Sequence, residues 1–435
     1  MIPKIVFAFV IMASFSCKGQ PSGNQKTTTG PQQKDSLPEP FATKSSKNFS
    51  KVVGWQDNEK PVAPTGFMVT RFADSLDNPR WLYEAANGDI FVAESNTILK
   101  GIKKVGAKIS RKIKTQNLGE SANRITLFRD QNKDGIFERR YIFAEELNQP
   151  LGMLIVQNHF YVANTDGVLQ FDYSVGDTVL QGSGKKIVSL PAGGYNNHWT
   201  RNMIANKEGS KIYISVGSGS NVGENGMEHE VRRANILEVN PDGSGEKIYA
   251  AGLRNPVGMD WYPGTNTLWT AVNERDGLGD DLVPDYITSV QPGGFYGWPY
   301  AYFGKHEDPR MKDQQRPDLV SKTIIPDVAV GSHTASLGLA FYDKDLFPAK
   351  YKNGAFVAQH GSWNRSSLVG YKVLFIPFAD GKPPGAPEDF LTGFIKDTTN
   401  SEVYGRPVCV MITKDGSMLV TDDASNTIWK VSMSK

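Results

Sequence analysis

Four arginines stand just before short apolar strands: Arg80, Arg201, Arg254 and Arg406. Guanidinium groups grip carboxylates in a planar fork, so four of them around one axis suit a polyanionic ligand. The alternative for each is a loop tie, with the guanidinium spent on main-chain carbonyls. His198 lies three residues before Arg201, in YNNHWTRN. Its ordinary pKa near neutrality makes it a candidate general base, and a solvated loop histidine is the plainer reading. Residues 273–286, NERDGLGDDLVPDY, crowd carboxylates, glycines and exposed carbonyls into one loop. Such loops suit calcium, which takes about six to eight oxygen ligands; a solvated acidic loop is the alternative. Residues 130–138, DQNKDGIFE, begin like a calcium-binding loop with Asp130, Asn132, Asp134 and Gly135. Its twelfth position falls on Tyr141 instead of Glu, so a hairpin turn is expected, with a structural calcium as the alternative. No GxSxG, CxxC, HExxH or P-loop motif occurs.

These residues need a frame that turns loops from distant parts of the chain toward one axis. From Pro61 onward one pattern recurs in six copies: a short apolar strand, a turn, then a strand of the type Phe/Tyr-Val-Ala. NPRWLYEAANGDIFVAES (from Asn78), QPLGMLIVQNHFYVANT (from Gln149) and TRNMIANKEGSKIYISVGS (from Thr200) are three of them. NPVGMDWYPGTNTLWTAVN (from Asn255), the segment from Ser336 and RPVCVMITKDGSMLVTDD (from Arg406) complete the set. NG, EG, GT and DG turns join adjacent strands into hairpins. Repeated hairpins of this kind predict an all-β fold, a six-bladed β-propeller of four-stranded antiparallel blades; a large sandwich or two β domains is the alternative. Residues 66–73, GFMVTRFA, are placed to lend an outer strand to the last blade.

Composition agrees. The chain has 435 residues, 43 of them Gly and 25 Pro, which favours many turns. With 48 basic and 46 acidic residues the net charge is +2, no footprint for nucleic acid. No run of about 18 apolar residues argues for a multi-span membrane protein. Residues 1–16 read as a signal peptide: Lys4, an apolar run, then small residues. Cys17 follows at once and resembles the lipidation site of bacterial lipoproteins; an ordinary cleaved signal is the alternative. Residues 17–60, rich in Gln, Lys, Ser and Thr, are expected to be a flexible tether, and residues 61–435 the propeller. Cys409, then a lone thiol, is expected to be a small buried hydrophobe.

Long blocks resemble the pyrroloquinoline quinone (PQQ)-dependent sugar dehydrogenases. They are NNHWTRNMIANKEGSKIYISVGSGSNVGE (from Asn196), AGLRNPVGMDW (from Ala251) and ERDGLGDDLVPDYITSVQPGGFYGWPY (from Glu274). QHGSWNRSSLVGYKV (from Gln359) and YGRPVCVMITKDGSMLVTDD (from Tyr404) resemble the sorbosone and pyranose dehydrogenase branch. The resemblance implies a six-bladed propeller that binds PQQ across the channel mouth beside calcium. It implies oxidation of a sugar or sugar aldehyde by hydride transfer to the quinone. His198 then matches the base and Arg254 the residue that polarises the quinone carbonyl, with Asn255 its cofactor-binding neighbour. Gly277 and Leu278 match carbonyl donors to calcium, continued by Asp280 and Asp281. Arg201, Trp298, His360, Trp363, Arg365, Lys372 and Arg406 match the side that holds PQQ, a planar tricarboxylate.

Two departures stand out. Ser218 occupies the place of an Asp that orients the base in glucose-oxidising relatives, and Leu278 replaces their Pro. The implied partners are a small sugar, an external electron acceptor such as a quinone, cytochrome or dye, and a membrane reached through Cys17. The implied location is the periplasm or outer membrane. A calcium-dependent propeller lactonase or other hydrolase and a non-catalytic glycan-binding propeller are the competing functions.

Overall fold

The computed structural model describes residues 37–98, 115 and 118–434. Expectations for the signal peptide and Cys17 lie outside these residues. The described chain is almost entirely strand and turn, with one four-residue α-helix, Pro317–Val320, and short 3-10 turns. No helix among the described residues is long and apolar enough to cross a membrane.

Six sheets of four or five strands follow one another along the described chain. The first joins Pro79–Glu84, Ile90–Glu94, Arg124–Arg129 and Arg139–Ala144, each antiparallel to the next. The second begins with Met153–Val156, the third with Arg201–Ala205, the fourth with Pro256–Trp261 and the fifth with Ser336–Phe341. The sixth begins with Pro407–Ile412 and takes its outer strand from the other end of the chain: Phe67–Ala73 pairs antiparallel with Thr427–Met433. The first strands of the sheets pack side by side in chain order, and Pro407–Ile412 packs against Pro79–Glu84. This is a β-propeller.

The repeats carry a small residue where neighbouring first strands meet. A Cβ added at Gly258 would collide with the backbone of Leu337 and Leu339, and one at Gly338 with the backbone of Val408 and Val410. Both glycines lie in or beside bulges of their own pairing, where a missing side chain lets neighbouring backbones approach closely. Cys409 holds the corresponding place in the last copy. It is buried, and burial pushes its thiol up to about 12, the state of a small hydrophobe. Between sheets the core is apolar and aromatic. Phe91, Phe143 and Phe160 pack edge-on or tilted between the first and second sheets.

One expectation needs correction. Residues 37–60 are not a free tether. Lys51–Val52 pairs in parallel with Glu402–Val403. The Trp55 ring meets Phe394, Tyr404 and Trp429, and its Nε1 donates to Asp422 Oδ2 at 2.9 Å. The strand pairing and the Trp55 ring outweigh the polar composition, because burying one large ring contributes roughly 1.5–3 kcal/mol.

Candidate active site

The N-terminal ends of the first strands, and the loops just before them, share one end of the ring. Arg201 opens its strand and Arg80 is second in its own, while Arg406 stands one residue and Arg254 two residues before theirs. All four are at least nine-tenths buried.

His198 is held from one side. Its Nδ1 lies 2.7 Å from the Ser218 carbonyl and 3.0 Å from Ser218 Oγ, which itself donates to the Ser220 carbonyl at 2.6 Å. A carbonyl only accepts, so the ring proton sits on Nδ1 and the lone pair on Nε2. None of the described residues takes Nε2. Desolvation, then the Arg254 charge, hold the His198 pKa well below the usual 6.5. The imidazole is therefore neutral and basic at Nε2 under ordinary conditions. A Cβ at Gly217 would strike both Asn255 Oδ1 and His198 Cβ, so this glycine lets the three residues close up. Asn255 Oδ1 is buried and has no hydrogen-bond partner among the described residues. Ser218 thus orients the base mainly through its main chain, where glucose-oxidising relatives are expected to use a carboxylate.

Arg254 belongs to the same cluster, through a residue the sequence reading missed. Asn221 accepts from Arg254 Nε through its carbonyl at 3.2 Å and from Nη2 through Oδ1 at 2.8 Å. Its carbonyl also accepts from Trp298 Nε1 at 2.9 Å. Arg254 Nη1 is spent on the carbonyls of Asn273 and Glu274, and Nη2 lies 3.6 Å from Asp276. Behind Asp276 stands a second missed residue, His333, with Nε2 2.8 Å from the Gly279 carbonyl and Nδ1 3.3 Å from Asp276 Oδ1. Below them, buried Arg275 bridges Glu274 and Asp308. SVGSGSN offered no motif for Asn221; only its place in a loop after a strand of the third sheet distinguished it.

The opposite side of the mouth is a charge cluster. Asp423 accepts from Arg80 Nη1 at 2.5 Å and pairs with His360 Nε2 at 2.8 Å. Burial, then the Arg406 charge, bring His360 down to about 4, although Asp423 works the other way. The Arg80 guanidinium lies 5.4 Å over the Trp199 ring, which ties this cluster to the His198 loop. Arg406 donates through Nε to the His360 carbonyl and through Nη2 to the Gly361 carbonyl, leaving Nη1 without a bond among the described residues. Asp423 was not singled out from the sequence.

Three expected cofactor contacts fall elsewhere. Arg201, fully buried, is a loop tie: it donates to the carbonyls of His198, Thr200 and Pro191 and to Asn196 Oδ1. Its chemistry is to shape the His198 loop. Lys372 turns outward to Asp389, 2.6 Å away on the fourth strand of its sheet. Arg365 is drawn to the acidic loop, donating to the Asp280 carbonyl and pairing with Asp281 at 2.7 Å.

The expected calcium donors do not converge. The Leu278 carbonyl accepts from Phe41 N at 2.7 Å. The Asp280 carboxylate accepts from Ser366 N and Oγ, and Asp281 faces Arg365. Gly277 N donates to Asn364 Oδ1 at 3.2 Å. These side chains and the Leu278 carbonyl are committed to protein partners, so the set does not fit a prepared cation cage. Trp363, expected to face PQQ, stacks on Phe49 with centroids 5.6 Å apart and planes 3° from parallel. The arginines fit an anion better. Arg406 Nη1 and the buried, unpaired Arg80 Nε leave donor capacity at the mouth for a carboxylate-rich group. Asp130, Asp134 and Glu138 bring carboxylate oxygens within 4.8 Å of one another, in the hairpin turn expected between two strands of the first sheet.

Residues 163–363 match the glucose / sorbosone dehydrogenase family, and residues 301–434 the TrAA12-like family. An uncharacterised protein of Borreliella burgdorferi is 30% identical over 386 residues, covering 85% of this chain and 89% of that one; the two belong to one family. An aldose sugar dehydrogenase of Escherichia coli is 33% identical over 110 residues, 25% of this chain and 28% of that protein. The fold of this chain is similar to the holo PQQ domain of pyranose dehydrogenase from Coprinopsis cinerea. That likeness has a TM-score of 0.68 at 17% identity and covers 88% of this chain and 100% of that one.

Proposed function

We propose that the chain is a PQQ-dependent dehydrogenase that oxidises a sugar hydroxyl or hydrated sugar aldehyde, of the sorbosone or pyranose type. One observation carries the reading: a neutral His198 with Nδ1 fixed and Nε2 bare, beside Arg254, in a mouth ringed by buried arginines. The family match and the likeness to a pyranose dehydrogenase fold support it. The six sheets are read as six blades, whose first strands aim these loops at one axis.

Bound PQQ would supply a quinone able to accept a hydride. The chain's own residues do the rest. His198 Nε2 takes the proton of the substrate hydroxyl, while the Ser218 carbonyl keeps Nδ1–H in place. Arg80, Arg254 and Arg406 offset the charge of the tricarboxylate. Asn255 Oδ1 offers an unused acceptor beside the base. The competing hydrolase reading would need carboxylates converging on the axis, where this mouth presents arginines and histidines. Export, lipid attachment at Cys17 and an external electron acceptor complete the proposal from the sequence.

The test is reconstitution. Purified protein is titrated with PQQ, with and without calcium, and a sugar panel is offered with a reducible dye. A quinone absorption change with sugar-dependent dye reduction is expected. Neither signal with any sugar would overturn the reading.

A further inference from the structure

The segment before Trp55 lies along the mouth rim. Leu37 packs into the apolar cluster of Leu278, Leu282, Val283 and Tyr302. Phe41 N donates to the Leu278 carbonyl at 2.7 Å, Gly279 N to Ser45 Oγ at 3.0 Å and Asp280 N to Thr43 Oγ1 at 2.7 Å. The approach is close: a Cβ on Gly279, whose φ is +123°, would lie 2.8 Å from Thr43 Oγ1 and 2.9 Å from its carbonyl oxygen. The same segment then crosses to the neighbouring loop. Asn48 N donates to the Trp363 carbonyl at 2.8 Å and Asn48 Nδ2 to the Ser366 carbonyl at 3.0 Å, while Phe49 stacks on Trp363. Beyond it, the Lys51–Val52 strand and Trp55 pin the segment to the last sheet.

We propose that residues 41–49 are a built-in brace of the active-site mouth. They hold the loop of residues 277–281 against that of residues 363–366 through protein hydrogen bonds, and through Phe49 they fix the Trp363 ring, beside which the proposed function seats the cofactor. Two backbone amides and one carbonyl of the acidic loop are satisfied by this segment, so the loop keeps its shape without a cation. Thr43, Ser45 and Phe49 are positioning residues. Their effect on the cofactor rests on the proposed function; the brace itself rests on geometry alone.

Hydrogen exchange on the full-length protein without PQQ tests the brace. In Thr43→Val/Ser45→Ala, exchange at the Gly279 and Asp280 amides should quicken by about ten-fold or more, since both lose their acceptors. Thr43→Ser should keep the slow exchange at Asp280, which separates a lost hydrogen bond from general loosening. A chelator should leave both amides slow. Unchanged exchange in the double variant would overturn the brace, and so would a chelator that quickens these amides as much as the variant does. Phe49→Ala should weaken PQQ binding by about ten-fold with little change in kcat at saturating cofactor, and Phe49→Tyr should restore affinity. Equal PQQ affinity in wild type and Phe49→Ala would remove Phe49 from the role. Failure of wild type to bind PQQ would defeat the functional reading, with the exchange experiment still judging the brace.

Discussion

Two histidines face the same mouth from opposite sides and differ in what holds them. His198 leans on a carbonyl through Nδ1 and leaves Nε2 bare. His360 has its Nε2 spent on the Asp423 carboxylate, which Arg80 also holds. Desolvation lowers both, so neither ring is positively charged near neutrality. Each neutral ring keeps a lone pair, on Nε2 in His198 and on Nδ1 in His360; the difference lies in access, since His198 is half-buried and His360 is buried in its charge cluster. A base needs an accessible nitrogen, and a charge cluster needs a partner on it. One residue type thus serves as candidate chemistry on one side and as architecture on the other.

The comparison breaks most sharply at the base. His198→Ala should lower turnover by about 10²–10⁴-fold with PQQ affinity nearly intact, measured by dye reduction and cofactor titration. Near-normal turnover would put His198 on the same footing as His360. Asp423→Ala attacks the other side. It leaves Arg80 buried without its carboxylate, so stability should fall by about 3–5 kcal/mol, read from denaturant unfolding. A loss below 1 kcal/mol would mean that solvent already satisfies Arg80.

Arg406→Ala should weaken PQQ binding roughly ten- to a hundred-fold, and Arg406→Lys should recover only part, because an ammonium cannot reproduce the planar fork. Equal affinity in wild type and Arg406→Ala would make it a loop tie like Arg201.

The pH profile sharpens the contrast. A base works when neutral, and the His198 pKa lies below 6.5 in the fold. The acid limb of kcat/KM should therefore fall below 6.5; a limb at or above that value would contradict the burial argument. Stability should also decline from pH 6.5 toward about 4. The unfolded chain binds a proton at His360 throughout that window, while the folded state resists until about 4. His360→Asn should flatten that decline in thermal melts. The smallest effect belongs to Ser218→Ala. The carbonyl that fixes Nδ1 stays, so turnover should change by less than about five-fold, the cost of one modest hydrogen bond. A larger loss would make the hydroxyl the true orienting group.

Much of this was legible in the residues. Alternating apolar pairs with glycine turns announced hairpins, and their repetition announced sheets of one kind, because strand pairing at short range is written in local pattern. The early strand Phe67–Ala73 was readable as a closing strand for the same reason. His198 and Arg254 were readable because each stands in a long block at a strand entrance, and the fold sets them in one cluster through Asn221 and Gly217.

Where each charge spends its hydrogen bonds was settled by the assembled fold. Arg201, Arg254 and Arg406 look alike in sequence, yet Arg201 is consumed by carbonyls of its own loop while Arg406 keeps Nη1 free. Asp423 gained its role from Arg80 and His360, respectively 343 and 63 residues away. Residues 37–60 looked like a tether by composition, but Trp55, Phe49 and Leu37 each found a partner hundreds of residues on. Composition reports the average tendency of a segment to stay solvated. A few well-placed rings and amides can reverse it once distant loops supply matching surfaces, and those surfaces exist only after the sheets have assembled.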